Sequence, residues 1–285
     1  MNLKGEPARV GRHCGSNVSV ASREVAAFYA DALDDPSPLY REIAPSLLYH
    51  SECYRFLGEW DLKNLFGNLH ARQDWELFAP IPLGARVRTR STIIDRYAKR
   101  GRDYIVNETD VSADDDGRLL VRGRTHQSFL PPREPQGFAV DEATARRKEP
   151  REPFPTAAGA DLPGVHKSVD ARRCWMFSGP GKNYHTDREA AQKLGFPNIV
   201  VQGMMTTCFV AQVMQDAFGL GWAVGGRMSV KLVNVLWVDE SVTARARIRE
   251  EVPEGDRLRV HCDVWVEKPD ATPVLVGSAS ATQPR

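Results

Sequence analysis

The sequence has no long apolar run. Nothing in it approaches the roughly 18 uncharged apolar residues of a membrane span, and its start, MNLKGEPARVGRH, lacks the apolar stretch of a secretory signal. A soluble, cytoplasmic protein without a membrane partner is therefore expected. Cysteine is sparse too: the five residues Cys14, Cys53, Cys174, Cys208 and Cys262 are scattered and never form CxxC. That argues against a disulfide framework or a cysteine-based zinc site and for reduced, buried thiols. Neither charge dominates, with 38 Lys and Arg against 37 Asp and Glu, so no net field points to nucleic acid or an anionic surface. There is no dinucleotide fingerprint, phosphate loop or metal-ligand spacing, and neither a nicotinamide nor a metal cofactor is expected.

What the chain does have is length and repetition. Its 285 residues suit two domains. The stretch GFAVDEATARRKEPREPFPTAAGADL, residues 137–162, is rich in proline, glycine and charge and reads as a linker between an N-terminal domain, 1–136, and a C-terminal domain, 163–285. The order of elements on its two sides is similar. Before it come a helical stretch SREVAAFYADAL, the turn DDPSPLY, a second helical stretch around SLLYHSECYRFLGEW, and three strand patterns: GARVRTRSTIIDRY, DYIVNETDVSA and LLVRGRTHQSFL. After it come a short segment, the turn SGPGKNY, a helix, and strand patterns SVTARARIREEV, RLRVHCDVWVEK and PVLVGSASATQ. Between these, Gly203 to Phe218 predicts a helix that is apolar nearly all round and therefore buried, with Met204, Met205 and Cys208 as core residues. A buried helix wrapped by a long antiparallel sheet, twice over, is an α+β double hot dog. Pairing the two copies also covers a sheet edge that each would otherwise expose.

Within FSGPGKNYHTD, residues 177–187, Gly179, Pro180 and Gly181 make a stiff turn that presents His185 just ahead of a helix over about 187–194, closed by Gly195. Thr186 with Glu189 fits a capping box. Rigid presentation suits a general base, although a turn histidine can equally do no more than satisfy a backbone carbonyl. Gly203, at the start of the buried helix, would let a carbonyl approach free, partly positive amides, or would serve tight packing alone. Gln202 beside it could face a pocket or cap the helix. His126, His166 and His261 lack comparable surroundings.

These residues resemble the MaoC-like dehydratase and (R)-specific enoyl-CoA hydratase family, whose signature approximates SGDxNPxH. Ser178, Gly179 and His185 fall at matching spacing, GFPNIVVQGMM is similar to the family's approach to its central helix, and LHARQDWELFAPIPLGARVRTRSTI with RGRDYIVNETDV resembles the degenerate N-terminal hot dog of double hot-dog members. The resemblance implies a hydro-lyase acting on an acyl thioester, either an enoyl- or 3-hydroxyacyl-CoA or the same group on a carrier protein. Coenzyme A or phosphopantetheine would enter only as part of the substrate, and family analogy makes the protein a homodimer.

The departures from the signature matter. Pro180 stands at the aspartate position, Lys182 at the asparagine and Asn183 at the proline, so the family's acid is missing. In the first half Asp35 fills the aspartate position, while Tyr40 stands where the histidine would be. Family geometry separates the two sites, so Asp35 is expected as a turn or cap residue and not as a partner of His185. The candidate site is His185 as base, Asn183 and Tyr184 to position water, and Gly203, Gln202, Ser178 and Lys182 against substrate. Arg172 and Arg173 are candidates for the substrate's phosphates. Three readings stay open: a hydratase or dehydratase with an unusual acid, a single-base isomerase or cyclisation enzyme on an unsaturated thioester, and a non-catalytic thioester-binding subunit.

Overall fold

A computed structural model describes residues 8–57, 68–129, 154 and 158–285. Most of the expected linker, 137–162, lies outside them, as does the end of the second helical stretch of the first half. Ten strands form one wholly antiparallel sheet in the order β1-β3-β4-β5-β2-β7-β10-β9-β8-β6. Their ranges are β1 His13–Val20, β2 Leu69–Leu77, β3 Arg86–Lys99, β4 Arg102–Ala113, β5 Leu119–Phe129, β6 Val165–Ser168, β7 Arg227–Leu232, β8 Ser241–Glu254, β9 Arg257–Glu267 and β10 Pro273–Pro284. The order is one five-strand path written twice, 1-3-4-5-2 and 6-8-9-10-7, with the last strands of the two paths joined at the centre. At that seam Arg72–Glu76 pair with Lys231–Arg227.

Local chemistry makes the long hairpins. In β3 the inward positions Val87, Thr89, Ser91 and Ile93 are buried while Arg86, Arg88 and Arg90 face out. Arg100 and Gly101 both have positive φ, 53° and 69°, which gives the two-residue turn whose twist matches the flanking strands. Between β8 and β9 the same job falls to Gly255, φ 63°. Both long strands carry a register shift at matching places, between Ile93 and Asp95 and between Ile248 and Glu250.

The helix Gly203–Phe218 forms where the apolar pattern predicts it, and every residue from Met204 to Gln215 is buried. It packs on β8, β9 and β10. The first half departs from the expected copy, for its second helical stretch yields only a single turn, Glu52–Arg55, among the described residues. The physical reason lies on the inner face of the N-terminal sheet, which is polar: Gln73, Thr89, Ser91, Asn107, Thr109, Thr125 and Gln127 are all buried. Those groups need partners; Ser91 and Thr125 find them within the sheet, on Asn107 and Gln73, and two others take one from this segment. Asn107 Nδ2 donates to the Cys53 carbonyl at 3.0 Å and Thr89 Oγ1 to Glu52 Oε2 at 2.6 Å. One apolar core nevertheless spans both halves, from Tyr29 and Leu47 through Met204 and Cys208 to Val264.

Candidate functional site

The site is built on a turn between two short helices. Ala171–Ser178 starts on Asp170, whose carboxylate accepts the Arg173 amide at 2.7 Å. Arg188–Lys193 starts on Asp187, which accepts the Ala190 amide at 2.9 Å. The cap is thus Asp187 and not Thr186. Thr186 Oγ1 instead turns back into the loop, accepting the Asn183 amide at 3.0 Å and donating to the Gly181 carbonyl at 2.9 Å. The helix closes on Gly195 as expected, with φ 83°.

Asn183 is the brace of the turn. Its Nδ2 donates to the carbonyls of Ser178 and Gly181, at 3.1 and 3.2 Å, and its Oδ1 accepts the His185 amide at 2.8 Å. Both of its N–H groups are therefore spent on the loop, which corrects the expectation that it positions water. Ser178 contributes that carbonyl at the helix end. Lys182 is 82% exposed and paired with Asp187 at 3.3 Å, a solvated ion pair away from the interior. Arg172 and Arg173 also have partners in the first half: Arg172 meets Asp31 at 2.9 Å, and Arg173 meets Asp34 at 3.3 Å. They bind the helix Arg23–Leu33 to its counterpart.

His185 itself is held from its other side. Its Nδ1 lies 2.7 Å from the Val200 carbonyl. A carbonyl can only accept, so Nδ1 carries the proton and Nε2 keeps its lone pair. Burial pushes the ring's pKa down to about 4 against a smaller opposing effect of Val200, which leaves it neutral near pH 7. The Tyr184 ring leans on it with centroids 3.9 Å apart and is backed by Phe196 at 5.8 Å. Val200 returns the bond, its amide donating to the Tyr184 carbonyl at 3.1 Å. The chain then runs through Val201, tied to Leu236, into Gln202 and Gly203. Gln202 makes no side-chain cap bond and its Oε1 is buried without a partner. A Cβ on Gly203 would overlap the Leu232 side chain, which would have to shift, so packing favours glycine there.

Asp35 belongs to a different place. It is buried at 6% exposure, accepts the Tyr40 hydroxyl at 2.5 Å and accepts the Ser37 amide at 3.2 Å. Desolvation pushes its pKa up. It is a turn residue as expected, but one folded inward. Beside it lies a cavity of about 10 Å³, room for one water, closed by Tyr29, Gln212 and Gln215. Asp35 thus pairs with Tyr40, its neighbour in the motif, and the Tyr29 and Cys208 side chains, bonded at 3.0 Å, line the same cavity. His126 joins Asp74 and Tyr97 on the outer sheet face, and His166 meets Thr243 at 3.4 Å. Among the described residues no cluster of His, Cys, Asp and Glu could hold a metal ion.

Sequence motifs give no sign of one further pair near this turn. Tyr54 OH lies 2.8 Å from His70 Nδ1, joining the short helix of the first half to β2.

With this geometry in hand, comparison with known proteins defines the class first. Three solved structures share the fold across nearly the whole chain. A MaoC-like dehydratase is 17% identical, with 96% of this chain and 98% of that chain covered and a TM-score of 0.72. A Mycobacterium tuberculosis protein with a double hot-dog fold is 13% identical, with 99% of both chains covered and a TM-score of 0.60. The peroxisomal multifunctional enzyme type 2 of Drosophila melanogaster is 14% identical, with 94% of this chain and 48% of that one covered and a TM-score of 0.67. The fold is a double hot dog. More particularly, residues 168–264 match the family model of the MaoC like domain, a span that includes His185. No curated protein matches the chain by sequence.

Proposed function

We propose that the protein is a hydratase or dehydratase of acyl thioesters, taking an enoyl or 3-hydroxyacyl group on coenzyme A or on a carrier protein, with His185 as its general base. The division into an N-terminal unit 1–136, a linker 137–162 and a C-terminal unit 163–285 belongs to the same reading. The observation that carries it is the orientation of His185: a neutral imidazole whose Nδ1 is pinned by Val200, leaving Nε2 as the free base, on a turn that the segment Val200–Gln202 ties to the start of the central helix.

In hydration, Nε2 takes a proton from water as the water oxygen bonds to Cβ, and the π pair moves onto the thioester carbonyl. Amides at the start of the Gly203 helix, unpaired within the helix and partly positive, stabilise that developing oxyanion. The imidazolium then returns the proton to Cα. One base performs both transfers, so the sequence is balanced without the aspartate that Pro180 replaces. Pro180 also favours a second reading, in which the same base only moves a double bond along the acyl chain, since that step takes a proton from one carbon and returns it to another.

Loss of enoyl-thioester absorbance on adding a short trans-2-enoyl-CoA is the direct test. His185→Ala is expected to lower the rate by at least about a hundredfold, the usual contribution of one proton-transfer group. Wild-type protein that leaves the substrate unhydrated but shifts its double bond would favour the second reading.

A further inference from the structure

We propose that Tyr54, held by His70, is a second hydrogen-bond acceptor for the attacking water, so that the N-terminal repeat completes the His185 site that Pro180 leaves short. This rests on the hydratase reading. Three placements support it. First, the seam of the sheet brings the start of β2 to this site: Arg72 pairs with Lys231, one residue short of Leu232, and Leu232 is the side chain that touches Gly203. His70 lies just beyond that pair. A register shift against β5 between His70 and Arg72 marks a bulge there, the device by which strands re-aim a side chain beside a site. Second, the Tyr54 hydroxyl is within electrostatic reach of the Tyr184 phenol, whose ring lies on His185. Third, two buried acceptors lack a partner, Gln202 Oε1, next in sequence to Gly203, and Asn68 Oδ1, two residues before His70.

The direction of the hydrogen bonds gives Tyr54 its role. His70 Nε2 lies 3.1 Å from the Arg72 carbonyl, which can only accept, so Nε2 carries the proton and Nδ1 is bare. Burial holds the ring neutral, with its pKa down to about 4. Tyr54 must then donate its own proton to Nδ1 at 2.8 Å. Its oxygen is left with lone pairs only. Toward the site, Tyr54 accepts and does not donate, as the Nε2 of His185 does. A water between two acceptors gives one hydrogen to each and aims an oxygen lone pair at the remaining direction, toward Cβ. The hydrogen given to His185 travels to Cα, while the one given to Tyr54 stays on the product as its 3-hydroxyl hydrogen. Tyr54 gains and loses no proton. His70 acts through Tyr54 and is a positioning residue.

The experiment compares wild type, His185→Ala, Tyr54→Phe and His70→Leu in both directions, with a trans-2-enoyl-CoA and with the matching 3-hydroxyacyl-CoA, alongside thermal melts. For Tyr54→Phe, kcat of hydration is expected to fall on the order of a hundredfold through loss of water orientation. Its enoyl-CoA KM should stay within about twofold, because that substrate has no hydroxyl. In the dehydration direction part of the loss is expected as a raised KM, because the 3-hydroxyl loses its acceptor, and kcat/KM must fall equally in both directions. His70→Leu is expected to show the same asymmetry, weaker. A Tyr54→Phe protein with more than a third of the wild-type kcat, while His185→Ala is inactive, overturns the role of Tyr54. Loss of melting temperature with equal KM effects in both directions overturns it too, in favour of a packing role. A wild type inert on both substrates instead overturns the hydratase reading on which this one stands.

Discussion

At the scale of single residues, the chemistry of the turn is decided by backbone carbonyls. Val200 fixes which nitrogen of His185 keeps its lone pair, and Arg72 fixes in which direction Tyr54 shares its proton. The pH dependence follows. Burial lowers the pKa of His185 to about 4, so the base stays unprotonated down to that pH. The acidic limb of kcat/KM is expected near pH 4 to 5 rather than near the usual 6.5 of histidine. A pH–rate profile on the enoyl thioester checks this, and a limb near 6.5 would mean that the ring is solvated in the working enzyme. Much of this scale was legible in the sequence. Two glycines and a proline before a histidine announce a rigid turn. Which residue would cap the next helix was not, because Thr186 and Asp187 are both good caps and only the loop's own bonds to Gly181 and Asn183 separate them. Nor was the role of Asn183, whose side chain is consumed by the turn it sits in.

At the scale of elements, the central helix is locked to the sheet at its first residue. A methyl group on Gly203 would overlap the end of Leu232, and overpacking of this kind costs about 1–3 kcal/mol. Gly203→Ala is expected to lower the melting temperature by several degrees, and Leu232→Ala in the same chain to recover part of that loss. If the amides at this end hold the oxyanion, activity should recover less than stability does, since the added methyl still crowds the carbonyl. A melt and a rate on the three variants decide it. The long strands were legible because alternation of apolar and polar residues is a local property, and so was the central helix, whose residues are apolar on every side. The first half misled for a matching reason. The stretch SLLYHSECYRFLGEW reads as helical, yet Asn107 and Thr89, on strands far along the chain, bond to its Cys53 and Glu52. The Tyr54–His70 pair was hidden in the same way, since it depends on where the turn Glu52–Arg55 lies against β2.

At the scale of the whole molecule, the two repeats have diverged by exchanging polarity. The sheet of the second repeat is lined with Val230, Val260, Val264 and Leu275 under a full helix, while the first keeps a buried polar lining under what is, among the described residues, a single helical turn. The motif residues differ as well: the first repeat has the aspartate, Asp35, bonded to Tyr40 beside a one-water cavity, and the second has the histidine. The general order of elements was legible as an internal repeat. The unequal fillings were not, because each depends on which strands face which segment.

The central seam has a further consequence for covalent continuity. The repeats are bound to each other by a strand ladder, Arg72–Glu76 on Lys231–Arg227, and by one shared core, neither of which depends on the peptide bonds that join them. Co-expressed as separate chains, residues 1–136 and 158–285 are therefore expected to copurify as a one-to-one complex that turns over substrate, while the second piece alone, though it holds His185, stays inactive for want of its neighbour. A protease that cuts between the repeats would then leave them assembled as two pieces.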